Sequence, residues 1–595
     1  MTETQQRVVQ ARETARQLMG VALGDVQADL AIINGSIVNV YTGEVIRGDT
    51  VLVKGDRIAY VGKNARQSIG PDTQVIDAAG KTLVPGFIDG HTHLLNGLYS
   101  ISEVLRYAIK GGTTTIITET MEFGFPLGYQ GILEFLRSAR NQPVKVYATV
   151  PPMVSISPVA REHVLTGEEL RRLLRSKGVI GLGESFWGPV IEEEGETLRL
   201  IAETVKSGKV VDGHTAGARG NKLQAYTSLG VSSCHEPTTV EEVLERLRLG
   251  LYVLVREGET RRETEAVARM KDDEVDFRRM ILASDGLGPW QLTTDGYMEF
   301  IVQKAIDLGF DPVWAIQMTT INVAQRFALD DDVGGIAPGK CADIVIIPDL
   351  RTIKPEYVIS NGQVIARNGE ILVQPREHRY SKSTRNAIRL TRDFSAGDFA
   401  VPANNNRSKA TVRVIDQATY LVTREAILDL PVIDGLVKPD ASQDVIKVAA
   451  IERAHHTGKV FTGFVRGMGF KRGAMATSTS WDTCDMVVAG VNEDDMAQAV
   501  NRIRELNGGM VICAGGKILA EIALPIGGVM TLSSMETISE TLHHIQQAAA
   551  SLGCTQPDIR QTLSVLTTGG IPFLRLCESG LVDIRQNRLV DLLVD

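Results

Sequence analysis

Residues 85–97, PGFIDGHTHLLNG, place His91 and His93 one residue apart in a chain with only 10 histidines among 595 residues. On a β-strand, side chains at i and i+2 share a face, so both imidazoles aim at one spot while Thr92 faces away. Pro85 and Gly86 mark the start of such a strand, and Asp89-Gly90 marks a bend near its exit. Two converging imidazoles are what a borderline divalent metal needs. An exposed His-Thr-His loop with no task is the plain alternative, and the rest of the chain must decide.

The strand that carries these histidines is one of a series. GFIDGHTH is followed by TTTIITET (113–120), VKVYATVPP (144–152), VIGLGES (179–185), KVVDGHT (209–215), GVSSCHE (230–236), LYVLVREG (251–258) and MILASDG (280–286), each leading into a helix-like amphipathic stretch. Eight β-then-α units over residues 85–333 have the size and count of an α/β fold of the (β/α)8 barrel type; a doubly wound open sheet is the runner-up. In a barrel the C-terminal strand ends surround one mouth. Those ends carry His91 and His93, Glu184, His214, His235 and Asp285, on five separate strands. Four histidines and two carboxylates so placed can hold two divalent ions, with one carboxylate bridging them. The barrel is therefore read as a metallo-hydrolase.

The flanks have another texture. Residues 29–84 and 334–370 alternate apolar and polar side chains between Asn-Gly and similar turns, as in Asn34-Gly35 and Asn361-Gly362,. Together they predict one small β-sandwich built from both sides of the barrel. The expected division is 1–84 (opening helix and first part of the sandwich), 85–333 (barrel), 334–395 (second part of the sandwich and a polar connector) and 396–595 (a separate α+β domain).

Composition narrows the partners. The net charge of −9, from 63 basic and 72 acidic residues with no long basic run, argues against a nucleic-acid partner and favours a small molecule,. The six dispersed cysteines form no CxxC pair, which fits a reducing cytoplasm,. The N-terminus is polar and amphipathic and no apolar run is long enough for a membrane span, so no membrane association is expected.

The runs PGFIDGHTH, GLGES, VDGHTAG, SSCHEPTT and ASDG resemble the amidohydrolase superfamily. IAPGKCADIVII, LVREG, TGFVRGMGF, GAMATSTS, DDMAQAV and LNGGM narrow the resemblance to the adenine deaminase family, over almost the whole chain. The resemblance implies that His91, His93 and Asp285 hold one ion, that His214 and His235 hold the other, and that Glu184 bridges them. It also implies that Glu236 shuttles protons beside a bound base. A homo-oligomer, a dimer, is expected. A water between two cations loses its proton near neutrality and becomes a nucleophile. Asp285 could accept that proton as C6 of a purine is attacked, and Glu236 or Asp285 could then protonate the leaving ammonia. Alternatively Glu236 only orients His235.

Two segments depart from the family pattern. Where the family has Asp-Pro-His-Glu, this chain has ETME (Glu119–Glu122), so Met121 replaces a histidine. Where the family has His-Asp-Ser-His-Asn, this chain has WDTCD (Trp481–Asp485), which keeps Asp482 but puts Trp481 and Cys484 in place of histidines. Glu122, Met121, Trp481 and Asp482 are the expected substrate-binding residues, unless Met121 and Trp481 only pack a domain interface. The expected reaction is hydrolytic deamination of adenine, or of a related 6-substituted purine, with two ions of Mn, Fe or Zn. The alternatives are hydrolysis of another cyclic amide or amidine at the same centre, and a non-catalytic binding protein.

Overall fold

The computed structural model describes residues 3–63, 65–163, 165–192, 195–403 and 407–594. Its centre is a ring of eight parallel strands: β1 (Phe87–Thr92), β2 (Thr113–Thr118), β3 (Lys145–Val150), β4 (Val179–Phe186), β5 (Val210–His214), β6 (Ser233–Cys234), β7 (Tyr252–Arg256) and β8 (Met280–Ala283). Each expected segment supplies one strand, and the strands neighbour one another in chain order. Helices cover the outside, so β2 and β8 are buried on both faces,.

The ring closes between β8 and β1. Asp285 donates its backbone N–H to the His91 carbonyl at 3.0 Å. Asp89 accepts the Ser284 N–H (3.2 Å), the Ser284 hydroxyl (2.5 Å) and the Tyr297 hydroxyl (2.8 Å). Asp89-Gly90 therefore lies inside β1 instead of at a bend near its exit. The irregularity there is a register shift against β2 between Asp89 and Thr92. The buried Asp89 carboxyl is needed as an acceptor that stitches the seam.

The flanking segments form one continuous nine-stranded sheet. Its joint is strand Thr82–Pro85 running antiparallel to Ile344–Ile347, with Ile344 opposite Pro85. The barrel is thus an insert whose two ends leave the same sheet. Ile32, Val53 and Leu83 from one flank share an apolar core with Ile344 and Ile359 from the other. Helix Glu3–Leu23 brings Val21 against Ala31 and Leu52 on another side of the sheet.

The connector is held along its length. Arg376 donates to the carbonyls of Arg137 (2.8 Å), Ser138 (3.0 Å) and Arg140 (2.9 Å) at the end of helix Met121–Ala139. Beyond it, a second nine-stranded sheet spans residues 409–523. Helix Glu493–Leu506 packs Met496, Val500 and Ile503 against it. A three-stranded sheet follows between Leu574 and Val590. This C-terminal part lies over the barrel mouth. The Ser155 hydroxyl donates to the Asp482 carbonyl (2.5 Å), Arg560 to the Asn96 carbonyl (2.9 Å) and the Tyr420 hydroxyl to the Thr260 carbonyl (2.9 Å). Among the described residues no helix is long and apolar enough to cross a membrane.

The Asp89 seam gives a stability test. Asp89→Ala removes the acceptor of the buried Tyr297 hydroxyl and of the Ser284 N–H, and each unpaired buried polar group costs about 1–3 kcal/mol. Thermal unfolding of the variant should begin well below that of the parent protein, and an unchanged transition would show that the seam contributes nothing.

Candidate metal centre and substrate cavity

The mouth of the barrel gathers every strand-end residue expected to bind metal. One group is His91, His93, Glu184 and Asp285; a second is Glu184, His214 and His235, and in each group the donor atoms lie within 4.8 Å of one another. Glu184 belongs to both. Its Oε1 stands 3.3 Å from His91 Nε2, 3.1 Å from His93 Nε2 and 3.3 Å from His235 Nε2. Asp285 Oδ1 is 3.4 Å from His91 Nε2 and 3.8 Å from His93 Nε2.

These residues fit divalent cations. Buried polar atoms normally have a hydrogen-bond partner, yet the buried His91 Nε2 has none. A nitrogen left unpaired amid two carboxylates is a donor atom waiting for a positive charge. Burial disfavours the Glu184 charge, but His235, His91 and His93 override it and hold the carboxyl well below its usual range. Burial likewise opposes an imidazolium at His91, but Asp285 and Glu184 push it up to about 10.

Local structure explains the placement. Gly183 gives room below Glu184, because a Cβ there would lie 2.2 Å from Glu119 Oε2. Glu119, at the end of β2, accepts the Glu184 N–H (3.1 Å) and the Thr149 hydroxyl (2.9 Å). Burial and the Glu184 charge raise its carboxyl to about 8. Asp285 sits at φ 55°, a left-handed conformation uncommon outside glycine,. Such strain at a strand end turns its side chain into the mouth.

Glu122 has a role that the sequence reading did not foresee. Its Oε1 lies 2.8 Å from His93 Nδ1, so the carboxylate fixes the imidazole whose other nitrogen faces Glu184. A partner on the far nitrogen sets the tautomer and orientation of a ligating histidine. Glu236 Oε1 is 2.6 Å from Arg256 Nη1, 3.2 Å from His235 Nε2 and 3.3 Å from His214 Nε2. Burial opposes the Glu236 charge, but Arg256 and His214 hold the carboxyl well below its usual range.

Arg256, within LVREG, is a residue of the site that lies outside the expected set. It reaches Asp285 Oδ2 at 3.3 Å and holds Glu263 through two bonds, at 3.0 and 2.9 Å. The rule that marked the histidines, a polar residue at the end of a barrel strand, would have marked Arg256 on β7 too.

A cavity opens above these groups, between the barrel mouth and the C-terminal domain. Met121, Glu122, Trp481 and Asp482 all line it, as do Phe125 and Phe186. Asp482, at φ 60°, accepts the Gly569 N–H (3.1 Å) and the Thr568 hydroxyl on Oδ2. Burial raises its carboxyl to about 6. Cys484 is fully buried, with Sγ 3.7 Å from Glu452 Oε1, and does not line the cavity.

Comparisons with known proteins place the whole chain beside one family. Residues 82–372 match the amidohydrolase family and residues 420–588 match the adenine deaminase C-terminal domain. The chain is 36% identical over 587 residues to an adenine deaminase of Moorella thermoacetica, covering 98% of each. It is 35% identical over 589 residues to adenine deaminase 3 of Rhizobium meliloti, covering 98% of this chain and 99% of that one. Among solved structures, an adenosine deaminase from Xanthomonas campestris with bound zinc matches 58% of this chain and 94% of its own, at 15% identity and a TM-score of 0.44.

Two measurements test the centre. Elemental analysis of Glu184→Gln should show both ions depleted, because both donor groups use it, whereas His214→Ala should deplete one. Equal loss in the two variants would contradict the shared carboxylate. Binding should also release protons. His91 rises from 6.5 to about 10 in the metal-free protein, so between those values a cation must displace its proton. Apparent affinity should then rise about tenfold per pH unit for each proton displaced. A pH-independent affinity across that window would contradict the assignment.

Proposed function

Because the chain belongs to the adenine deaminase family of the amidohydrolases, we propose that it hydrolyses adenine to hypoxanthine and ammonia at the mouth of its barrel. The observation that carries this reading is the pair of donor groups sharing Glu184 beneath a partly aromatic cavity. Two divalent cations on these donors would supply the charge that makes a water nucleophilic near neutral pH. Their number, two, and their identity as Mn, Fe or Zn belong to the proposal, since histidine and carboxylate donors suit all three.

The chain's own residues account for the rest. Met121, Phe125, Phe186 and Trp481 present apolar surface to a planar ring and keep bulk water off it,. Asp482 has Oδ2 occupied by Thr568 and Gly569, which leaves its other oxygen for a ring nitrogen. Asp285 is the proton carrier. It stands among the histidines and takes a proton from water as oxygen bonds to C6. It then delivers that proton to the exocyclic nitrogen as the C6–N bond breaks. Arg256 beside it holds the carboxyl below its usual range together with His91, against the effect of burial. Glu236 is the less suitable carrier, because Oε1 is taken up by Arg256 and faces two imidazoles.

Placement in the cytoplasm is part of the same proposal and is supported by six buried cysteines without disulfides. A homodimer is proposed on the exposed Trp290 and Trp314, apolar surface that a second copy could cover, and light scattering tests it.

Ammonia release from adenine by the metal-loaded protein tests the reaction. Asp285→Asn should lower turnover by about 10²–10⁴-fold, the usual contribution of a placed acid–base group. Activity on cyclic imides but not on adenine would overturn the substrate. Met121→His with Trp481→His should retain the metals, since neither residue is a donor, and shift preference among adenine and its N6-substituted forms. A polar contact is worth about 1–3 kcal/mol, or roughly five- to hundredfold in specificity. Unchanged ranking would reduce both positions to packing. Cys484 is left out of this variant because its side chain points into the core.

A further inference from the structure

Arg453 is a buried charge without an ion-pair partner among the described residues. It is 1% exposed, and its hydrogen bonds go to two carbonyls: Nε donates to Ser478 at 3.0 Å and Nη1 to Gly527 at 3.3 Å. Arg256, by contrast, meets the carboxylates of Glu236, Glu263 and Asp285. Burial disfavours the Arg453 charge, and Glu452 and Asp485 offset that in part from beyond ion-pair distance. Its Nη2 has no partner among the described residues, yet it is not sealed in protein as the unpartnered Nη1 atoms of Arg326 and Arg575 are. The residue lines the cavity above the metal centre, as Ser480 and Trp481 do. We propose that Arg453 anchors the substrate: Nη2 donates a hydrogen bond to the lone pair of a ring nitrogen away from the attacked carbon, N3 or N7 of a purine. The proposal rests on the deaminase reading above and deepens it by naming what the ring must present.

Sheet topology delivers the guanidinium to this place. Strand Val445–Glu452 runs antiparallel to Asp485–Gly490, with Glu452 opposite Asp485. Asp485–Gly490 in turn runs antiparallel to Ala474–Thr477. Arg453, Ser478 and the Trp481–Asp482 segment therefore leave the same end of the sheet, the end that meets the cavity.

The guanidinium is also cradled. A Cβ on Gly528 would lie 2.7 Å from Nη1, 3.0 Å from Cζ and 3.2 Å from Nη2, so the backbone there packs against the group itself. Gly528 sits at φ 73°, a conformation that glycine adopts without steric cost,. The Ser478 hydroxyl donates to the Gly528 carbonyl at 2.5 Å, which ties the two sides of the cradle together.

With Nε and Nη1 both held, the planar fork fixes the direction of Nη2. A guanidinium donates and never accepts, so it cannot face a ring N–H and selects an edge with a lone pair. Asp482 and Arg453 then have complementary tasks, one accepting from the ring and the other donating to it. A guanidinium that served solely to tie residue 478 to residue 527 would give no such selection.

Product inhibition of adenine turnover by hypoxanthine, 3-deazahypoxanthine and 7-deazahypoxanthine tests the anchor, in the parent protein and in Arg453→Met. Each deaza analogue replaces one lone pair by a C–H group, and none of the three compounds releases ammonia. In the parent protein one analogue should inhibit about ten- to hundredfold more weakly than hypoxanthine, the worth of a hydrogen bond to a charged donor. In Arg453→Met that difference should vanish while metal content is kept, since Arg453 belongs to neither donor group. Equal inhibition by all three compounds in the parent protein would overturn the proposal whether or not the variant folds. An undiminished difference in folded Arg453→Met would overturn it too, because another group would then be reading that nitrogen. No ammonia from adenine in the metal-loaded parent would overturn the deaminase reading beneath it, and that outcome is read before any analogue is added.

Discussion

The structure depends on one carboxylate held among imidazoles. Glu184 would be expensive to bury alone, since an ionised group taken out of water must be paired or neutralised. Three imidazole nitrogens within 3.3 Å of its Oε1 meet that demand, and they come from β1 and from the end of β6. Bringing them together requires a closed ring of strands. The Asp89 seam, the Gly183 clearance and the shape of the β4 end all serve that convergence.

The surrounding charges are arranged in shells. Glu122 fixes His93 from behind, and Glu119 supports the Glu184 backbone from below. Arg256 links Glu236, Asp285 and Glu263 on the opposite side. Glu122, Glu236 and Asp285 thus each have a named partner beside the centre. The C-terminal domain completes the site by covering it: Trp481 and Asp482 reach the cavity because hydrogen bonds such as that of Ser155 to the Asp482 carbonyl dock one domain on the other.

The departures at Met121 and Trp481 become intelligible in this setting. Both residues line the cavity without contributing a metal donor. On the proposed function they would alter what the substrate touches and leave the ion-binding groups alone. Cys484 differs, since it lies in the core beside Glu452. A departure from a family pattern can thus bear on recognition at one position and on packing three residues later.

Much of this was legible in the chain itself. Eight apolar segments with polar residues at their ends specified the barrel, because strand and helix periodicities are local and a barrel mouth collects strand ends by topology alone. His91, His93, Glu184, His214, His235 and Asp285 could be named for that reason. Contacts made across the fold could not. Nothing in ETME shows that Glu122 would bond His93, 29 residues earlier, and nothing in LVREG shows that Arg256 would join Glu236 to Asp285. Periodicity encodes which face a side chain takes, but a hydrogen bond depends on ångström distances between segments far apart in sequence, and only tertiary packing sets those.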